Sequence, residues 1–150
     1  MLEENSKSPE FSLPDQEGNY HSLSDYLGKW VILYFYPKDM TPGCTTEACN
    51  FRDVFAEFKK VNAVILGVSK DKPVTHKKFA EKYRLPFPLL SDEKGKVCNQ
   101  YGVWRKKKMY GKEVMGIVRS TYLIDPEGII KKVFPKVQVE EHAQQILAEL

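Results

Sequence analysis

Two cysteines five positions apart, Cys44 and Cys49, are the residues of this chain best suited to chemistry. They close the stretch Pro37-Lys38-Asp39-Met40-Thr41-Pro42-Gly43-Cys44-Thr45-Thr46-Glu47-Ala48-Cys49, which follows the apolar run Val31–Tyr36. Thr41 suits a helix N-cap and Pro42 the first helical position. Cys44 then falls three residues past the cap, where a capping box would hold Glu or Gln. A sulfur there faces the unpaired N–H groups of the first turn, the Thr41 hydroxyl and the positive end of the helix dipole. These favour thiolate over thiol, and the thiolate is the nucleophile. Gly43 leaves a small substrate room to approach the backbone.

The helical wheel separates the two cysteines. At about 100° per residue, Cys44 centres a stripe of Ala48, Phe51, Phe55 and Phe58, while Cys49 falls about 140° away towards Asp53 and Glu57. In an intact helix their Cα atoms stand about 8–9 Å apart, and a disulfide needs less than about 7 Å. The pair can bond only if the first turn unwinds, which suits a switching disulfide rather than a fixed one. Spacing alone leaves three readings open: redox catalysis, inert packing as small hydrophobes, and a structural metal site. For a metal, His21, His76 and His142 are scattered and no third ligand is close in sequence. A thioredoxin-type dithiol would have two intervening residues rather than four.

Two further residues have a double reading. Cys98, in Val97-Cys98-Asn99-Gln100-Tyr101, has no capping turn and reads as a packing residue, with a backup resolving thiol as the functional alternative. Arg119 interrupts the apolar run Ile117–Ile124. It is either a strand-edge arginine paired with a surface carboxylate or a fixed cation set against an anionic sulfur.

The elements that position these residues follow from periodicity. Phe11–Asp15 and Tyr20–Leu23 read as short extended pieces around a turn at 16–19, and Ser24–Gly28 as one helical turn. Trp30–Tyr36 is apolar without alternation, as in a central strand covered on both faces. The segment after Cys44 steps helically to about Lys60. Val61–Val68 is a second buried strand, Val74–Tyr83 a helix, Leu89–Leu90 a brief strand and 92–101 a short helix holding Cys98. Residues 102–116 read as a polar loop or ribbon. Ile117–Ile124 and Ile129–Phe134 are strands joined by a turn at 125–128, and 140–150 is an amphipathic helix. The early β-α-β-α order predicts a largely parallel sheet, and the late hairpin adds an antiparallel edge. The expectation is one α/β domain over residues 1–150, a thioredoxin-like sandwich with an N-terminal β extension.

Bulk properties narrow the function classes. The 23 basic and 20 acidic residues nearly balance at +3, which argues against nucleic acid as the main partner. The run Arg105-Lys106-Lys107-Lys108 is short and reads as a solvated loop. Met1–Glu10 is polar, unlike a signal peptide, and no apolar run approaches the ~18–20 residues of a membrane span. An odd count of three cysteines does not suit a secreted disulfide framework. A cytoplasmic protein with no membrane partner is expected.

The pattern Pro37-x-x-x-Thr41-x-x-Cys44 matches the active-site pattern of peroxiredoxins. The longer string Tyr36–Cys49 resembles the peroxiredoxin Q or bacterioferritin comigratory protein branch. Phe11–Asp15, Gly67–Asp71, Leu89–Asp92, Tyr101–Trp104 and Arg119–Asp125 extend the likeness over nearly the whole chain. The resemblance implies a peroxiredoxin-type thioredoxin fold and a thiol peroxidase for hydrogen peroxide and alkyl hydroperoxides, with no cofactor or metal. It implies Cys44 as peroxidatic cysteine, passing through a sulfenic acid, and Cys49 as resolving cysteine in an atypical two-cysteine cycle. Thr41, Arg119 and the backbone N–H groups of Gly43 and Cys44 would hold thiolate and peroxide, and Pro37 would shield the sulfenate. Thioredoxin or a similar dithiol would reopen the disulfide, and a monomer is implied, with a weak dimer as the alternative. A peroxide-sensing switch or holdase using the same cysteine pair is the alternative.

Overall fold

The computed structural model describes residues 1–150. In chain order it contains β1 (Ser12–Pro14), β2 (Tyr20–Ser22), a 3-10 turn (Leu23–Tyr26), β3 (Trp30–Phe35), α1 (Pro42–Asp53) and α2 (Phe55–Lys60). There follow β4 (Ala63–Ser69), α3 (Pro73–Tyr83), β5 (Leu89–Ser91), α4 (Lys96–Gln100), β6 (Trp104–Met109) and β7 (Lys112–Ile117). The chain closes with β8 (Ser120–Ile124), β9 (Ile130–Phe134) and α5 (His142–Leu147). The central sheet runs β5-β4-β3-β8-β9. Its β5, β4 and β3 are parallel neighbours, while β8 and β9 add antiparallel pairings. Separate two-stranded ribbons are formed by β1–β2 and β6–β7. No helix is long and apolar enough to cross a membrane.

The unbroken apolar run of β3 is explained by its central place. Successive side chains of a strand point to opposite faces, and both faces of this one are covered. Val31, Leu33 and Phe35 enter one core of 17 buried residues, while Ile32 and Tyr34 enter another of 17, joined by Tyr36 just beyond the strand. The second core takes Cys44, Ala48 and Phe51 from α1, and the first takes Cys98 from α4. The sheet therefore stands between these two cysteines.

Five expected elements differ in detail. The helical segment after Cys44 is broken at Val54 (φ −112°, ψ 16°), so that α2 is a separate helix packed along β4. Residues 104–117 form a regular hairpin, turned by Tyr110 and Gly111, both at positive φ. Paired positive φ values match the right-handed twist of the strands they join. The apolar run expected as one strand from Ile117 divides: β7 ends at Ile117 in the ribbon and β8 starts at Ser120 in the central sheet. Arg119 thus lies in the link between two sheets, not within a strand. The helices at 92–101 and 140–150 shrink to α4 and α5; the first begins late because Asp92–Gly95 forms a turn closed by a Gly95 N–H to Asp92 carbonyl bond of 2.9 Å.

Candidate active site

The exit of β3 and the start of α1 are built as the sequence implies. Thr41 is the N-cap in extended conformation (φ −78°, ψ 152°), and Pro42 opens the helix. The first ladder bond runs from the Thr45 N–H to the Thr41 carbonyl at 2.9 Å. The N–H groups of Gly43 and Cys44 meet no protein acceptor, leaving two donors for an oxygen ligand at the helix start. The Thr41 hydroxyl does not cap the helix. It donates to the Lys38 carbonyl at 2.7 Å, a closer partner within the loop, and its oxygen keeps lone pairs free to accept. Pro37 is half-buried between β3 and this loop.

Cys44 is buried on the inner face of α1, with Glu47 and Ala48 beside it. Arg119 reaches it from the link between β7 and β8. Its Nη2 donates to the Cys44 Sγ at 3.2 Å, and its Nη1 donates to Glu47 Oε1 at 2.6 Å. Both readings of Arg119 therefore meet in one side chain: it faces the sulfur and it has a carboxylate partner. That carboxylate is buried, only 1% exposed, rather than on the surface. A Cβ built on Gly43 would stand 3.2 Å from Arg119 Nη2, so the missing side chain gives the guanidinium its place.

Glu47 was not among the residues expected to form the site. Its position one turn after Cys44, on the buried face of α1, is the signal that could have found it. Burial pushes its carboxyl up to about 7, against the pull of the Arg119 cation. Its Oε2 has no hydrogen-bond partner. The buried His142 Nε2 lies 2.7 Å from Thr121 Oγ1, and burial, with the Arg119 charge adding to it, lowers this imidazole to about 4.

The loop before α1 is strapped down at Asp39. Tyr36 donates its hydroxyl proton to Asp39 Oδ1 at 2.6 Å, and His76 Nδ1 meets Asp39 Oδ2 at 2.7 Å. His76 Nε2 lies 3.1 Å from the Leu90 carbonyl, which can only accept, so this nitrogen carries a proton. The Asp39 N–H donates to Asp71 Oδ2 at 2.9 Å, and the Ser69 hydroxyl donates to the same oxygen at 2.7 Å. Asp39, Asp71 and His76 present ligand atoms within 4.8 Å of one another, but all three are already engaged in hydrogen bonds. The group is a strap rather than a metal cage. Met40, at φ +66°, follows it directly and leads into the N-cap.

Cys49 is half-buried and free, in the same unbroken helix as Cys44. Cys98 is fully buried across the sheet, and burial together with the nearby Asp92 carboxylate drives its thiol far above the ordinary range. The arrangement brings Cys44, Thr41, Gly43 and Arg119 to one helix start and leaves Cys98 outside it.

The AhpC/TSA family pattern matches residues 5–133. The chain belongs to this family. It is similar to the peroxiredoxin Bcp of Bacillus subtilis (strain 168), 51% identical over 99% of this chain and 95% of that protein. The peroxiredoxin Bcp of Escherichia coli K12 is 49% identical over 93% and 90%. The Xanthomonas campestris bacterioferritin comigratory protein superposes with a TM-score of 0.88 at 43% identity, covering 93% of this chain and 88% of that one. The chain is thus a peroxiredoxin of the peroxiredoxin Q or bacterioferritin comigratory protein branch, and its mixed, helix-covered sheet is the thioredoxin-like fold.

Proposed function

We propose that this peroxiredoxin reduces hydrogen peroxide and organic hydroperoxides through Cys44, resolves the product with Cys49, and is recycled by thioredoxin or a similar dithiol. The Cys44 thiolate attacks the terminal oxygen of the peroxide: the S–O bond forms as the O–O bond breaks. The alkoxide or hydroxide leaves with the electron pair and takes a proton, giving alcohol or water, and the sulfur is left as a sulfenic acid. The Cys49 thiolate then displaces hydroxide from that sulfur, water is released, and a Cys44–Cys49 disulfide remains. Two thiols of the reductant return both cysteines to the reduced state and carry away the oxidation as their own disulfide.

The observation that carries this reading is the 3.2 Å contact between Arg119 Nη2 and Cys44 Sγ at a helix start with unpaired N–H groups. Such donors suit charge that develops on the peroxide oxygens as the bond breaks. Thr41 offers lone pairs to the hydroxyl proton of the peroxide, and Pro37 shields the sulfenate. Supporting the substrate class is the alkyl peroxide reduction described for the Xanthomonas campestris relative. In the second step, the α1 start unwinds from Met40, beyond the Asp39 strap, while the loop before it stays fixed. The two cores share one sheet, which supports a single domain over residues 1–150.

The test is peroxide-dependent oxidation of a dithiol donor by the native chain and by Cys44→Ser and Cys49→Ser. Cys44→Ser should lose turnover. Cys49→Ser should form the sulfenate and stop there. Full turnover in Cys44→Ser would overturn the proposal.

A further inference from the structure

We propose that Lys107 is a positioning residue for peroxide reduction: its ammonium, seated over Gly116 and bonded to the Ile117 carbonyl, fixes the link that delivers Arg119 to Cys44. The inference rests on the reading of Cys44 as the peroxidatic cysteine.

Lys107 differs from its neighbours in the basic run. Arg105, Lys106 and Lys108 are exposed, whereas Lys107 is half-buried. In the β6–β7 register Lys107 pairs with Val114 and Arg105 with Gly116, so Lys107 and Gly116 are diagonal neighbours on one face of the ribbon. The lysine stem crosses Gly116 so closely that a Cβ there would stand 2.6 Å from Lys107 Cε and 3.3 Å from Nζ. A Cβ there would push the flexible end of the lysine aside. Gly116 is not at positive φ, so backbone conformation does not require glycine at this place.

The ammonium ends 2.9 Å from the Ile117 carbonyl. Ile117 is the last residue of β7, and only Val118 and Arg119 separate it from β8. The rest of the link is held by the Val118 N–H to Val103 carbonyl bond at 2.8 Å and the Ser120 hydroxyl to Val118 carbonyl bond at 2.8 Å. Lys107 thus anchors the entry to the link where strand pairing stops. Burial lowers the proton affinity of Lys107, the Arg119 cation lowers it further, and Cys44 opposes this, so the ammonium lies within electrostatic reach of both site groups. As a second cation near the site, Lys107 adds to the positive potential that Arg119 sets at the Cys44 sulfur.

Three variants test this against a merely structural staple. Lys107→Met keeps an unbranched stem without donor or charge, Lys107→Arg restores both, and Gly116→Ala keeps the charge but displaces the stem. Rapid-quench mass spectrometry separates sulfenate formation at Cys44 from the later disulfide step. Lys107→Met and Gly116→Ala should each slow sulfenate formation by about tenfold through a loosened Arg119, and Lys107→Arg should recover most of that loss. Disulfide formation from the sulfenate should be unchanged in all three, and the pH profile of the first step should move upward in Lys107→Met. A first step as fast as native in Lys107→Met or Gly116→Ala overturns the proposal. So does equal slowing of both steps with a lowered melting temperature, the mark of general loosening. Failure of the Cys44 reading itself would show separately, as absence of a Cys44 sulfenate in the native protein.

Discussion

Arg119 donates to the Cys44 sulfur at 3.2 Å across 75 residues of chain, and the same guanidinium holds Glu47 one helical turn further on. One cation therefore serves two acidic groups on a single helix face. A planar fork is preorganised for this, and a point charge on a flexible stem is not. The consequences are specific enough to measure.

Arg119→Lys should slow sulfenate formation roughly ten- to hundredfold, the scale seen when a preorganised donor is lost from a developing charge. The ammonium lacks the fixed two-pronged geometry that faces Cys44 and Glu47 together. Stopped-flow measurement of the first turnover checks this, and a rate within twofold of native would speak against the bridging role.

Gly43→Ala should separate stability from activity. Residue 43 is within α1 and its φ is not positive, so alanine favours the helix there by up to about 1 kcal/mol. Its Cβ would nonetheless stand 3.2 Å from Arg119 Nη2 and displace it. The expected result is an equal or higher melting temperature with slower peroxide reduction.

Glu47 and His142 should give opposite pH slopes to stability. The Glu47 carboxyl is raised from 4.5 to about 7, so between those values the unfolded chain has lost a proton that the folded protein keeps. Stability from this group is present below about 4.5 and falls as pH rises to about 7. The His142 imidazole is lowered from 6.5 to about 4, so its contribution is present above 6.5 and is lost as pH falls towards 4. The two slopes offset each other in the native protein. Glu47→Gln should unmask stability that climbs with pH by up to about 3 kcal/mol, and His142→Gln should unmask the reverse. Urea denaturation at intervals from pH 4 to 8 decides it; a Glu47→Gln curve parallel to the native one would refute the assignment.

Cys98 should remain unmodified under conditions that alkylate Cys44 and Cys49: burial and the Asp92 carboxylate hold its thiol protonated, whereas Cys44, though also buried, has the Arg119 cation on its sulfur. Cys98→Ala should leave peroxide turnover within twofold of native and cost about 1 kcal/mol for the lost volume. Rapid labelling of Cys98 in the folded protein would contradict its placement.

The site was legible in sequence where it is local. Thr41, Pro42, Gly43 and Cys44 follow helix-start rules, and the stripe through Ala48 and Phe51 oriented Cys44 inward. Arg119 was visible as a cation in an apolar run, but its partner Glu47 was not, because that pairing depends on a link folding back from a distant part of the chain. Ile117 to Ile124 reads as one strand since both halves are apolar, and nothing in those residues marks the passage from ribbon to central sheet. The break at Val54 has neither glycine nor proline to announce it. The β6–β7 ribbon is largely exposed and so lacks a clean alternation, although Tyr110-Gly111 offered a turn signal. The Tyr36–Asp39–His76 strap joins a strand end, a loop and α3, and no local pattern connects them.

Mass spectrometry of the native chain after one equivalent of peroxide decides whether Cys44 and Cys49 are the redox pair. A disulfide joining Cys44 to Cys49 within one chain is expected, with Cys98 recovered as a free thiol. A disulfide through Cys98, or a peroxide-oxidised chain in which Cys44 is untouched, would contradict it.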